Sequence, residues 1–139
     1  MSIRPGRYFI QSVADEAHFV GTGPVPPVYP PFPAPLRSVR EFIKDFFQVK
    51  DVGGDKYTLQ THDLWVGYDQ DNNVRLMPYG AKPVEWSVNP ASEPGTFVFK
   101  IPNTDKCWTV LGQDDFAPIR LEGQNGQPGQ QWRLVPYSE

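Results

Sequence analysis

The chain has 139 residues, is 39% hydrophobic and 14% aromatic, and carries a formal net charge of −3. That length fits one domain able to bury a core without metals or disulfides, and the apolar content excludes a disordered chain. No Lys/Arg run marks a nucleic-acid surface. The single cysteine, Cys107, excludes an intrachain disulfide. The first residues hold no apolar leader, and no apolar run reaches about 18 residues. The expectation is a cytoplasmic protein with neither nucleic acid nor membrane as partner.

Sixteen prolines and twelve glycines punctuate the chain, and the one segment with helical character is VREFIKDFF, from Val39 to Phe47. Elsewhere short β-rich runs alternate with turn residues, which reads as all-β. In chain order the first unit opens with Gly6-Arg7-Tyr8-Phe9-Ile10-Gln11. It continues with His18-Phe19-Val20-Gly21 and Leu36-Arg37-Ser38-Val39, and closes with Phe46-Phe47-Gln48-Val49. The second unit repeats this with Asp55 to Gln60, Leu64-Trp65-Val66-Gly67, Val74 to Met77 and Glu85-Trp86-Ser87-Val88. The third has Gly95 to Lys100, Cys107-Trp108-Thr109-Val110, Ile119-Arg120-Leu121 and Gln131-Trp132-Arg133-Leu134.

Each run alternates apolar with polar residues, so each should bury one face. A four-stranded unit cannot bury that face alone, whereas three units around an axis close a barrel and remove most exposed edges. Twelve strands in three pseudo-symmetric repeats of about 40 residues are the sequence form of a β-trefoil. The expected division is one domain over 1–139, with repeats at about 5–52, 53–93 and 94–139. Phe47, Trp86 and Trp132 should be related by the threefold.

The first repeat is the longest, and its excess lies between its second and third strands. Val20 to Leu36 spans 16 positions, against 8 for Val66 to Val74 and 9 for Val110 to Ile119. Seven of the twelve residues from Pro24 to Pro35 are proline. Each fixes φ and removes a backbone donor, so the loop is stiff, extended and barred from a sheet interior. It carries Tyr29 and Phe32, and a rigid loop that presents aromatics loses little entropy on binding. Pro26-Pro27-Val28-Tyr29 also has the P-P-x-Y form that WW domains take, here with both ends anchored.

No catalytic motif is present: there is no H-x-x-x-H and no G-x-S-x-G. His18 and His62 flank the second strands of their repeats. Cys107, before Trp108 in an apolar strand, reads as a buried small hydrophobe. Asp69, Asp71, Asp114 and Asp115 lie in turns, without the glycine and distal Glu of an EF-hand loop. The expectation is a binding protein without enzyme activity, cofactor or metal.

The strings Pro5-Gly6-Arg7-Tyr8, Phe19-Val20-Gly21, Glu85-Trp86-Ser87-Val88-Asn89-Pro90 and Trp108-Thr109-Val110 resemble the mushroom β-trefoil serine protease inhibitors, the mycospins. The likeness covers most of the chain in scattered short matches; the mycocypins, which inhibit cysteine proteases, are similar more loosely. The resemblance implies inhibition through a surface loop, with an Arg or Lys as primary specificity residue toward trypsin. It places one such site around an Arg-Ser-Leu string between the second and third strands, matched here by Arg37-Ser38-Val39. The implied protease-binding loop holds Tyr29, Phe32, Leu36, Arg37 and Ser38. The chain departs from the pattern in having no Lys or Arg from Ala14 through Leu36. Arg75 and Arg120 hold the places equivalent to Arg37, which fits a third strand as well as a loop.

Met1-Ser2-Ile3, Pro5-Gly6, Phe99-Lys100-Ile101-Pro102-Asn103, Pro118-Ile119 and the Q-x-W string Gln130-Gln131-Trp132 also resemble the ricin-B-like mushroom lectins. Lectin repeats place a sugar-binding Asp just after the second strand. Gly21 and Gly67 occupy that position here, which leaves the third repeat. Asp114, with Phe116 for stacking and Asn125 for hydrogen bonding, is the implied sugar site; Asp69, Asn73 and Tyr79 make a thinner set in the second repeat. The expected function is protease inhibition, serine proteases favoured, with carbohydrate binding as the alternative.

Overall fold

A computed structural model describes residues 3–112 and 114–137. Twelve strands form: β1 (Gly6–Ser12), β2 (His18–Gly21), β3 (Arg37–Arg40), β4 (Phe46–Gly53), β5 (Lys56–Thr61), β6 (Leu64–Tyr68), β7 (Val74–Leu76), β8 (Trp86–Pro90), β9 (Thr96–Lys100), β10 (Lys106–Val110), β11 (Ile119–Gly123) and β12 (Trp132–Pro136). Six of them close a barrel by antiparallel pairing, in the order β1-β4-β5-β8-β9-β12 and back to β1. The other six form the hairpins β2–β3, β6–β7 and β10–β11. The segment with helical character keeps a single 3-10 turn, Glu41–Ile43. Its flanks go to strands, because Arg37–Arg40 pairs with His18–Gly21 and Phe46 and Phe47 pair with Phe9 and Tyr8.

The threefold relation holds in the register. Tyr8 faces Phe47, Tyr57 faces Trp86 and Phe97 faces Trp132, and Phe47, Trp86 and Trp132 are all buried. Each indole also ties its repeat's hairpin to the barrel. Trp86 Nε1 donates to Val66 O at 2.9 Å, and Trp132 Nε1 donates to Trp108 O at 3.3 Å. Phe47 has no such donor, so the first repeat lacks this indole tie. Trp108 fills the space between, stacked on Phe99 at 4.6 Å and edge-on to Trp86 at 5.4 Å, with its own buried Nε1 unpartnered.

The hairpins close the barrel end by bridging to one another. Pro35 pairs with Arg75, Asn73 with Arg120 and Pro118 with Arg37. Leu36 N donates to Val74 O at 3.0 Å, Ile119 N to Leu36 O at 3.1 Å and Leu121 N to Asn72 O at 2.8 Å. A charged tie reinforces the join of the first and third repeats. Buried His18 has Nδ1 2.9 Å from Asp15 Oδ2 and Nε2 2.7 Å from Asp115 Oδ1, and Arg40 Nε donates to the same Asp115 oxygen at 2.8 Å. The hydrogen bond from His18 holds the Asp115 carboxyl below the usual carboxylate range, and the one from the Ala17 amide does so for Asp15.

Two predictions follow from this frame. Trp86→Phe orphans the Val66 carbonyl, whereas Trp108→Phe removes an N–H that has no partner. Urea unfolding should therefore show Trp86→Phe to be the more destabilising, by about 1 kcal/mol or more. The folded Asp15 and Asp115 carboxyls titrate below their unfolded values, so their contribution is present above the unfolded range near 4 and is lost as pH falls through the folded values. The urea midpoint should drop below about pH 4, and Asp115→Asn should shrink that drop.

Candidate functional site

The longest loop of the cap, residues 22–35, is tied at both ends. At its root Thr22 N donates to Asp45 Oδ2 at 2.9 Å, and Gly23 lies so close to the Phe116 ring that a Cβ there would sit 3.0 Å from Cε1. Asp45 also meets His62, Nε2 to Oδ1 at 3.0 Å, and this contact pushes the imidazole above its ordinary value. At the far end the Arg75 guanidinium donates to Pro33 O, Pro35 bridges to Arg75, and Leu76 N donates to Ala34 O at 2.9 Å. The loop thus runs from the first repeat onto the edge of the second. Its tip stands in solvent: Tyr29 is 82% exposed, Val28 54% and Phe32 44%.

The tip is braced from the second repeat. Tyr29 and Tyr79 place their ring centroids 5.8 Å apart, and their hydroxyls share a 3.3 Å hydrogen bond. Tyr79 lies in the loop between β7 and β8, where a sugar contact was expected of it; here it meets Tyr29 across the repeat boundary. Behind the tip, Pro26, Pro27, Val28 and Phe32 form one wall of an open cleft of about 360 Å³, and His62 and Asp63 form the other. His62 and Asp63 make the two-residue turn between β5 and β6, with φ of 53° and 61°. Both lie in the left-handed region that glycine and asparagine fill more easily.

The structure corrects the expected loop around Arg37. Leu36 is fully buried in the core and Ser38 is buried. Ser38 N donates to Ala117 O at 2.8 Å, and Ser38 O accepts from Phe116 N at 2.7 Å. Arg37 is half-buried, opens β3 opposite Gly21 and bridges to Pro118. None of the three stands on a protruding loop, because the apolar alternation Leu36–Val39 is taken up by the cap of the barrel. Of the five residues, Tyr29 and Phe32 are the ones the fold presents.

The expected sugar set is divided. Asn125 lines an open cleft of about 440 Å³ with Leu111, Gly112, Gln127 and Pro128. Phe116 turns the other way, onto Gly23, and exposed Asp114 gives its carbonyl to Ala117 N at 3.2 Å. Neither Asp114 nor Phe116 lines the Asn125 cleft. The Q-x-W glutamine is spent on the fold: Gln130 Nε2 donates to Thr109 Oγ1 at 3.1 Å and to Gly123 O at 2.9 Å, and its Oε1 accepts from Asn125 N at 2.7 Å. In the second repeat Asp69 accepts from the Asp71 and Asn73 amides and is held below the usual carboxylate range, chiefly by Asn73. Asn73 Oδ1 takes a hydrogen bond from Arg120 at 2.8 Å.

Steric room explains the glycines that stand where lectin repeats carry Asp. A Cβ on Gly21 would fall 2.9 Å from Val39 Cγ2, and one on Gly67 would fall 2.6 Å from Met77 Sδ and 2.9 Å from Val84 Cγ2. A further open cleft, of about 590 Å³, lies at the junction of the first two repeats among Arg7, Phe46, Gln48, Gln60, His62 and Asp63. These residues are scattered over four elements, so no local string announced them. Cys107 is buried, and burial pushes its thiol up, which suits the small hydrophobe expected there. Among the described residues no group of three His, Cys, Asp or Glu gathers for a metal, and no helix is long and apolar enough to cross a membrane.

No family model and no curated protein matches the sequence. Solved structures do match the fold. A proteinase inhibitor from Coprinopsis cinerea superposes with a TM-score of 0.79 at 16% identity, over 98% of this chain and 100% of that one. The Macrolepiota procera ricin B-like lectin, solved with lactose, gives 0.79 at 13% identity, over 99% and 100%. The designed threefold-symmetric protein ThreeFoil gives 0.77 at 15% identity, over 95% and 99%. The closed six-stranded barrel, the three capping hairpins and these neighbours together make the chain a β-trefoil.

Proposed function

We propose that this β-trefoil is a non-enzymatic protease inhibitor that engages its target, a serine protease, with the proline-rich loop of its first repeat. The observation that carries this reading is the tip itself. Tyr29 is 82% exposed, yet the loop behind it is stiffened by proline, pinned by Arg75 and braced by Tyr79. A large aromatic held out on a rigid support binds with little loss of conformational entropy, and tyrosines of this kind are enriched among interface hot spots. The fold neighbour from Coprinopsis cinerea, a proteinase inhibitor, is consistent with that use of the scaffold.

With Arg37 held in β3, the side chains offered to a protease pocket from this loop are aromatic. The target is then an enzyme with an apolar primary pocket, of chymotrypsin type. Pro30 and Pro33 directly follow Tyr29 and Phe32, and a proline on the leaving side hinders cleavage, which suits an inhibitor more than a substrate. A second reading, carbohydrate binding, is supported by the third-repeat cleft. Asn125, Gln127 and the exposed Leu111 there offer polar and apolar contacts together.

Inhibition kinetics against chymotrypsin and papain test the main reading. Chymotrypsin should be the better inhibited. Tyr29→Ala should weaken its inhibition by about 30-fold, the scale of a hot-spot truncation of about 2 kcal/mol. Arg37→Ala should change it less than about threefold. No measurable inhibition of either enzyme at micromolar protein, together with binding on a glycan array, would favour the second reading.

A further inference from the structure

The loop between β7 and β8 is a second stiff, exposed element, and it touches the first. It is anchored where Met77 N donates to Trp65 O at 2.8 Å and where Val84 packs on the core. Between these anchors Pro78-Tyr79-Gly80-Ala81 makes a tight turn, with Ala81 N donating to Pro78 O at 3.0 Å. Gly80 stands at φ +87°, the left-handed third position that a type II turn requires. Lys82 and Pro83 follow, and from Pro78 to Pro83 every residue but Ala81 is exposed. Tyr79, two residues past the anchor at Met77, is the ring that braces Tyr29. Lys82 has no hydrogen-bond or ion-pair partner among the described residues.

We infer that Lys82 is the specificity residue of a second inhibitory loop, directed at proteases with an acidic primary pocket of trypsin type. The inference rests on the reading that this protein inhibits proteases, and it adds a loop and an enzyme class to that reading. Three features carry it. The ammonium is uncommitted, and its four-carbon stem can reach a carboxylate at the base of a deep pocket. Pro83 steers Lys82 toward the extended β or polyproline region, the form in which a chain segment pairs with the edge strand of a binding cleft. Proline also leaves the Lys82–Pro83 bond without an N–H on its leaving side, which slows cutting. The turn, the Val84 anchor and the Tyr29 brace limit the entropy lost on docking. Arg37, the first basic residue after that loop in the sequence, lacks this exposure.

The test uses the full chain and four proteins, wild type, Lys82→Ala, Lys82→Arg and Tyr29→Ala, titrated against trypsin and chymotrypsin. Wild type should inhibit trypsin. Lys82→Ala should weaken trypsin inhibition at least about tenfold, the equivalent of about 1.4 kcal/mol, and leave chymotrypsin within about threefold. Lys82→Arg should retain trypsin inhibition. Tyr29→Ala should act mainly on chymotrypsin. Because Lys82 is exposed, the two Lys82 variants should share the wild-type thermal midpoint, which excludes misfolding as the cause.

If chymotrypsin is inhibited and trypsin is not, the Lys82 inference falls and the first-loop reading stands. Trypsin inhibition that survives Lys82→Ala also overturns the inference. If trypsin inhibition is lost with Lys82→Ala while chymotrypsin is never inhibited, the inference holds and the assignment to Tyr29 falls. Inhibition of neither enzyme overturns both.

Discussion

The structure depends on one contact made three times: the pairing of each repeat's first-strand aromatic with its fourth-strand aromatic. Tyr8 with Phe47, Tyr57 with Trp86 and Phe97 with Trp132 stand at equivalent points of a closed ring. A single repeat would expose two sheet edges and an apolar face. Closure of three removes the edges and buries five of the six rings, with Tyr8 packed half-buried against them. Two of the repeats add an indole hydrogen bond to the hairpin carbonyl above. The first does not, and it is also the repeat that carries the long loop.

That closure leaves the loops little structural work beyond their own ends. The hairpins bridge one another around the cap, and the His18, Asp15, Asp115 and Arg40 cluster fastens the first hairpin to the third. Where a loop residue is spent on this frame it is withdrawn from binding: Ser38, Leu36, Asp115 and Gln130 are examples. Where the frame is complete without it, as at Tyr29, Tyr79 and Lys82, the side chain stands in solvent on a stiff support. The division between frame and free residues is what separates the protease-facing reading from the sugar-facing one.

The same frame accounts for what the cap lacks. Gly21 and Gly67 stand opposite Arg37 and Arg75 in their hairpins, at points where a Cβ meets Val39 in one case and Met77 and Val84 in the other. An aspartate could not be accommodated there without moving packed side chains. In the third repeat Thr109, opposite Arg120, takes the equivalent place and is buried, and the exposed Leu111 beyond it lines the open cleft beside Asn125.

Much of the architecture was legible in the chain alone, because it rests on local signals of fixed period. Alternation gave the strands, recurrence of the aromatic-centred runs gave the three units, and proline density gave a stiff loop between the second and third strands. Tertiary structure decided the rest, for reasons of distance. Leu36-Arg37-Ser38 continues the apolar alternation as readily as it begins a loop, and its bonds to Val74, Ala117 and Ile119 and its bridge to Pro118 place it in the cap. Asp114, Phe116 and Asn125 are near in sequence, yet the fold turns Phe116 onto Gly23 and leaves Asn125 in another cleft. Tyr29 and Tyr79 are 50 positions apart and become neighbours, because closing the barrel sets the second repeat's loop beside the first's, a contact that no local pattern encodes.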